Sequence, residues 1–276
     1  MKTVVLTGAT AGIGREAAIR LAASGHKLVL VGRNAQRGEE LAVRLHGAHF
    51  VQGDLSTSAG VAQVAESITE ALGTVDVLIN NAGVMEPRRR LTDEGMELNF
   101  AVHHLAPYSL TKALLPLLRT DGRVVNVNSI GHARAMRGSG PVTLDFDDLQ
   151  SERSYEATLA YSRAKLANLL FSYELQRRYP AMTVVALHPG MVRTDLGRSF
   201  PRLQVMAVTA LAPSAAKGAE PLCVLATDPD VVKGGYYDRN TLTNSSPASY
   251  DTEAARRLWE ITEQLRGPYP ASTASQ

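Results

Sequence analysis

Tyr161 and Lys165 stand four residues apart in Tyr161-Ser-Arg-Ala-Lys165, inside a stretch patterned as a helix, so both side chains fall on one face. A free phenol titrates near ~10 and is a poor acid or base at neutral pH. A lysine ammonium beside it favours the phenolate and lowers that value. Such a pair can give a proton to a carbonyl oxygen or take one from an alcohol. By itself the spacing is common by chance, and a solvated helix face is the default meaning. Two motifs upstream change that. Thr7-Gly8-Ala9-Thr10-Ala11-Gly12-Ile13-Gly14 follows the apolar run Val4-Val5-Leu6 and opens a helical stretch. Gly8 permits a tight turn out of a strand, while Gly12 and Gly14 remove side chains where backbone must approach a ligand. A helix starting near Ile13 aims its free N–H groups and positive dipole end at a pyrophosphate. Asn80-Asn81-Ala82-Gly83 then closes a later apolar run. The three motifs, in this order, imply hydride transfer at a nicotinamide dinucleotide coupled to proton transfer at a phenol.

The elements that must position these groups alternate. Short apolar, β-branched runs at 3–7, 27–31, 48–52, 75–80, 123–128 and 183–188 read as strands buried on both faces. Helical patterns fill 13–24, 35–45, 58–72, 92–118 and 154–178, and a last strand is predicted near 235–238. The rhythm predicts an α/β fold: a single-domain Rossmann-type, doubly wound parallel sheet with helices on both faces, over 1–267. The small, polar residues 268–276 are expected to form a loose tail. Two long segments, 131–153 and 190–213, leave the carboxyl ends of strands, where ligands bind in open α/β sheets. The second carries Leu196, Phe200, Leu203, Val205, Met206 and Val208, which suits an apolar lid over a substrate.

Composition excludes several classes. A chain of 276 residues with 45% hydrophobic and 20% charged residues fits one ordinary globular domain. A net charge of +2 gives no case for nucleic acid, and no run approaches the ~20 apolar residues of a membrane span. Met1 leads almost directly into the first strand, and the expectation is a cytoplasmic protein; a homo-oligomer is left open. The lone Cys223 excludes an intrachain disulfide and sits in an apolar helical stretch, as a core thiol would. The seven histidines lack metal-ligand spacing, so no metal site is expected. Trp259 reads as core packing. The run Arg88-Arg89-Arg90 reads as a solvated loop, with an anionic or polyhydroxylated substrate at the crevice mouth as the other reading.

The glycine spacing here is Gly-x3-Gly-x-Gly, and with the other two motifs the chain resembles the short-chain dehydrogenase/reductase family from about residue 2 to 267. Segments 97–118, 161–175 and 258–267 look like its retinol-dehydrogenase-like branch, whose membrane-bound members carry an apolar segment ahead of the first strand that this sequence lacks. The resemblance implies cofactor contacts from Gly8, Thr10, Ala11, Gly12, Ile13 and Gly14, and an adenine-edge contact at Asp54 with Leu55 beside it. It also implies ribose-flanking backbone at Asn81, Ala82 and Gly83, a carboxamide bracket at Val192 and Thr194, and nicotinamide-side contacts from Tyr161 and Lys165. Ser129, ending the fifth strand, takes the place of the serine that polarises the reacting oxygen. His103 falls where the family has an asparagine that props a water relay to the lysine; either imidazole holds the water, adding its own titration, or the role is unfilled. Asn99, one turn earlier, is a partial stand-in. At the end of the second strand no acid is present to select NAD(H), and Arg33 offers a planar cation for a 2′-phosphate, so NADP(H) is favoured, although a second basic position of some relatives is Ala11 here. The implied function is an NADP(H)-dependent oxidoreductase acting on a carbonyl/alcohol group of a bulky apolar small molecule. The alternatives are reduction of an activated C=C bond or phenol tautomer, and an NADP(H)-binding regulator whose catalysis has lapsed.

Overall fold

Adjacent residues of each central strand bury against opposite layers, which is why the runs are apolar without alternation. In β1 (Thr3–Thr7) Val5 joins one core while Val4 and Leu6 join the other. The same division runs through β2 (Lys27–Gly32), β4 (Val75–Asn80) and β5 (Leu118–Val127). With β3 (His49–Gln52), β6 (Thr183–His188), β7 (Tyr236–Asp238) and β8 (Thr241–Thr243) they form one sheet in the order β3-β2-β1-β4-β5-β6-β7-β8. The computed structural model describes residues 1–135, 140–193, 195–197, 199–201 and 212–270. Pairing is parallel up to β7, and β8 runs antiparallel to it.

Helices α1 (Gly12–Ala23), α2 (Ala35–Arg44) and α7 (Ala215–Thr227) cover one face through Ala17, Leu21, Leu41 and Leu222. On the other face lie α3 (Ser58–Ala71), α5 (Ala106–Leu114), α6 (Ala157–Arg178) and α8 (Thr252–Arg266), through Val64, Leu110, Phe171 and Trp259. Each such leucine, valine or phenylalanine, fully buried, contributes roughly 1.5–3 kcal/mol. The strand order reverses between β1 and β4, so the crevice for a ligand opens above the carboxyl ends of these two strands.

Several boundaries differ from the sequence pattern. The helix predicted over 92–118 begins only at α4 (Leu98–Phe100), because the Glu97 carboxylate accepts the N–H groups of Asn99 and Phe100 at 3.0 and 2.8 Å. It continues as a π segment over Ala101–Leu105 into α5, and Pro116 prevents further extension. Strand β8 was hidden because its two-residue turn, Arg239-Asn240, carries no glycine even though Arg239 has φ 57°.

The expected loose tail is corrected at its start. Tyr269 lies edge-on to Tyr108 at 4.7 Å and within 4.7 Å of Trp259, and its hydroxyl donates to Tyr108 O at 2.8 Å. An aromatic flanked by two partners loses more by solvation than the tail gains in freedom. Residues 271–276 lie outside the described residues. Tyr269→Ala is therefore expected to lower stability by about 2 kcal/mol, read as a drop in thermal unfolding midpoint with cofactor affinity retained. An unchanged midpoint would mean that the docked ring contributes nothing.

Candidate active site

The crevice above β1 and β4 is a cleft of about 550 Å³, and one wall of it is the start of α1. Ala11 precedes that helix in an extended conformation, with no side chain capping the first turn and no acid within it. Gly12 turns the chain at φ 52°. A Cβ on Gly14 would come within 2.3 Å of Gly8 O, so a side chain there would break the loop. Uncapped N–H groups at a helix N-terminus, with side chains withheld around them, fit a dinucleotide pyrophosphate. Asn81 braces this loop: its Nδ2 donates to Thr7 O and Gly8 O at 2.9 and 3.3 Å. Thr7 Oγ1 accepts the N–H groups of Asn81 and Ala82 and donates to Ile79 O. The first two sequence motifs are thus one hydrogen-bonded unit.

Gly8, Thr10, Ala11, Gly12, Ile13 and Gly14 all line the cleft, as do Asn81, Ala82 and Gly83. Arg33, Asp54, Leu55 and Val192 also line it; Thr194 lies outside the described residues. Of the predicted lid, Leu196 reaches the cleft, while 202–211 lie outside the described residues. Arg37 was missed by the sequence reading. It lines the cleft with Arg33, both are exposed, and neither is ion-paired among the described residues. Its signal was the i, i+4 spacing from Arg33 across the Asn34 cap, whose Oδ1 accepts Arg37 N–H at 2.8 Å. The basic run is placed elsewhere: Arg89 binds Gln150 O and Glu152, Arg90 pairs with Glu86, and none of the three arginines lines the cleft.

In the same cleft Ser129, Tyr161, Lys165 and His103 come together. The Ser129 hydroxyl accepts Gly131 N–H at 3.1 Å and hydrogen-bonds the Tyr161 phenol. Lys165 Nζ donates to Val127 O at 2.8 Å and lies 5.7 Å from the centre of the Tyr161 ring. Asn128 Oδ1 accepts Ser129 N–H, while its Nδ2 donates to Lys165 O and Asn168 Oδ1. Asn128 and Asn168 were also missed. The signal was a polar stripe at Tyr161, Lys165, Asn168 and Ser172, spaced i, i+4, i+7, i+11 on a helix otherwise apolar along this face.

The family is legible in whole-chain comparisons. The short chain dehydrogenase family profile matches residues 2–140. Human retinol dehydrogenase 13 is 36% identical over 296 residues, spanning 100% of this chain and 87% of its own length. A protein of Streptomyces sp. (strain C5), provisionally named daunorubicin C-13 ketoreductase, is 34% identical, spanning 96% of this chain and 93% of its own. The chain belongs to the short-chain dehydrogenase/reductase family. Among solved structures, an alcohol dehydrogenase from Thermococcus sibiricus complexed with 5-hydroxy-NADP superposes with a TM-score of 0.68 at 26% identity, covering 86% of this chain and 95% of that one. The likeness to human retinol dehydrogenases places this chain in the retinol-dehydrogenase-like branch. It is an oxidoreductase of small molecules bearing a carbonyl or alcohol group. Among the described residues no helix is long and apolar enough to cross a membrane.

Two expectations for this family site are corrected. Lys165 does not hold the phenol below its ordinary value in the free chain: burial pushes Tyr161 up to about 12, opposed only by the Ser129 hydrogen bond, and pushes Lys165 down to about 7. Nor does His103 titrate near neutrality. Burial, with the nearby Lys165 charge, takes it well below 6.5. Its Nε2 lies 2.7 Å from Val84 O and 3.3 Å from Val84 N, so the Val84 main chain meets either tautomer, and Nδ1 is buried with no partner among the described residues. Asn99 Nδ2 is committed to Glu97 and the Tyr155 hydroxyl, while its Oδ1 is buried with no partner among the described residues. A depressed value means that His103 is neutral at neutral pH and takes a proton only under acid conditions. His103→Asn is expected to leave the shape of kcat against pH unchanged around neutrality, the titration near 7 belonging to Lys165. An inflection that disappears with the imidazole would show that His103 titrates after all.

Proposed function

We propose that the protein is an NADP(H)-dependent oxidoreductase in which Tyr161 exchanges a proton with the oxygen of a bulky, apolar carbonyl or alcohol substrate. One observation carries this reading: the Ser129, Tyr161 and Lys165 cluster opens into the same cleft as the uncapped start of α1. A nicotinamide held along that cleft would supply or accept the hydride. In the reducing direction hydride adds to the carbonyl carbon, Tyr161 Oη gives its proton to the carbonyl oxygen, and the alcohol is released. The Ser129 hydroxyl is placed to donate to the same oxygen, and Lys165, titrating about 7, is placed to resupply the proton. A phenol pushed up to about 12 keeps its proton until a reacting oxygen draws it off.

The apolar side chains of Met85, Val102, Ile130, Met191 and Leu196 at the Tyr161 end support a hydrophobic substrate, and Ile130 and Met191 remain 58% and 66% exposed. The names of two relatives, a retinol dehydrogenase and a daunorubicin C-13 ketoreductase, support a carbonyl or alcohol substrate. Arg33 and Arg37 support a 2′-phosphate, with Arg37 offering the second cation that Ala11 does not.

Tyr161→Phe is expected to lower kcat by about a hundredfold or more on ketone and aldehyde substrates, while NADPH still binds. Turnover near wild type would remove Tyr161 from the chemistry and favour a regulator or another proton donor. Arg33→Ala is expected to weaken NADPH by about 1.5 kcal/mol, and the Arg33→Ala/Arg37→Ala pair by more, with NADH little changed. Titration of both cofactors by fluorescence checks this; equal losses for the two would mean that the arginines shape the fold and do not read the phosphate.

A further inference from the structure

Ser129 is held at both ends of its main chain, and the second hold comes from a side chain outside the family motifs. His132 closes the short helical turn Ile130–His132 that follows Ser129. Its main-chain N–H donates to Ser129 O at 3.1 Å, and its ring Nδ1 lies 2.6 Å from the same oxygen. Its Nε2 faces the N–H of Ser246 at 3.0 Å. A backbone N–H can only donate, so Nε2 must be the bare nitrogen of the neutral ring. Nδ1 therefore carries the proton and gives it to Ser129 O. The ring is buried, edge-on to Tyr236 at 5.0 Å, and burial lowers its pKa, which keeps this one tautomer at neutral pH.

The far anchor is firm. Ser249 donates to Ser246 O from both its N–H and its hydroxyl, at 3.0 and 2.6 Å. The neighbouring Ser245 hydroxyl bonds Tyr173 Oη at 2.7 Å and Ser249 Oγ at 2.6 Å. Tyr250 stacks on Tyr173 with ring centres 5.4 Å apart. Tyr173 belongs to α6, about 18 Å along the helix from Tyr161. We propose that His132 is a positioning residue: it ties the Ser129 main chain to the 245–250 turn, and through Tyr173 to the helix that carries Tyr161 and Lys165. The serine hydroxyl is thus fixed relative to the phenol by a strut that touches neither substrate nor cofactor. This inference rests on the proposed catalytic use of Ser129 and Tyr161.

The two ring nitrogens can be replaced one at a time. The Asn amide takes the place of Nδ1 and the Gln amide that of Nε2. His132→Asn keeps a donor for Ser129 O and is expected to hold kcat within about threefold. His132→Gln keeps an acceptor for Ser246 N–H, leaves Ser129 O without the ring donor, and is expected to lose about ten- to a hundredfold in kcat with KM for NADPH unchanged. In a Ser129→Ala background the Gln substitution should cost nothing further in kcat, because its effect passes through the serine. Wild-type kcat in His132→Gln, or equal losses in both variants following their unfolding midpoints, would overturn the assignment and leave His132 a packing residue. If Ser129→Ala alone turns over at the wild-type rate, the proposed function fails instead, and the two failures are told apart. Nitrogen-15 NMR of the unsubstituted protein gives a test that needs no variant: the Nδ1–H tautomer is expected at neutral pH, and an Nε2–H tautomer would refute the strut.

Discussion

A seam of buried amides and hydroxyls fixes α6 against β5, and the cleft depends on it. Asn80 Nδ2 donates to Asn126 Oδ1 and Asn126 Nδ2 to Ser172 Oγ, each at 2.8 Å. Ser172 Oγ donates to Asn168 O, Asn168 Nδ2 to His103 O, and Asn128 Nδ2 to both Lys165 O and Asn168 Oδ1. Lys165 closes the seam on Val127 O. Apolar packing alone would let a helix buried on nearly all sides slide or rotate at little cost. A polar seam does not, since a one-residue shift would strand several buried donors at roughly 1–3 kcal/mol each. The register of Tyr161 and Lys165 over the end of β5 is therefore set by groups that take no part in the chemistry.

Burial decides the protonation of the pair as well as its position. With Nζ 5.7 Å from the centre of the Tyr161 ring, a charge pair at an effective dielectric near ~20 is worth about 3 kcal/mol, or about 2 pKa units. That is enough to return a phenol at about 12 to its ordinary range, and not enough to make it a base at neutral pH. The lysine charge acts in the direction expected from sequence, and the desolvation of both groups opposes it. A dry site favours the neutral pair, Tyr161 with its proton and Lys165 near its midpoint at neutral pH, which suits storing a proton better than storing a charge.

What the sequence displayed was local. The strand runs, the glycine loop and the Tyr161–Lys165 spacing are each specified within a few residues, and the sheet and cleft follow from them. What it concealed was pairing across distance. The stripe through Asn168 and Ser172 is visible as a pattern, but its partners Asn126 and Asn128 lie some forty residues earlier, and asparagines at a strand end look like turn residues. Tyr269 reads as tail until Tyr108 and Trp259 are known to lie beneath it. Arg37 reads as an ordinary helical surface residue until α2 is seen to begin at the cleft. His132 reads as one more histidine until Ser246, 114 residues later, fixes its tautomer.

The helix before β5 gives up regularity where it meets this seam. Over Ala101–Leu105 it widens to a π turn, and Ala106 N–H bonds Ala101 O, five residues back. The widened turn turns both consecutive histidines inward: His103 lies edge-on to Tyr161 at 5.3 Å, while His104 reaches Phe171 and the Thr262 hydroxyl. On a regular helix, neighbours about 100° apart would not both find the interior so readily. The lost regularity is offset on the spot, because Asn168 Nδ2 donates to His103 O at 2.8 Å. A helix that breaks its own rule only opposite Tyr161 and Lys165, and is repaired there by a side chain of α6, is a local distortion held by the tertiary fold. Whichever residue occupies position 103, its carbonyl and its side chain are presented to the site by the same deformation. A change of side chain at position 103 therefore alters the group presented to the site and leaves the geometry itself in the keeping of α6.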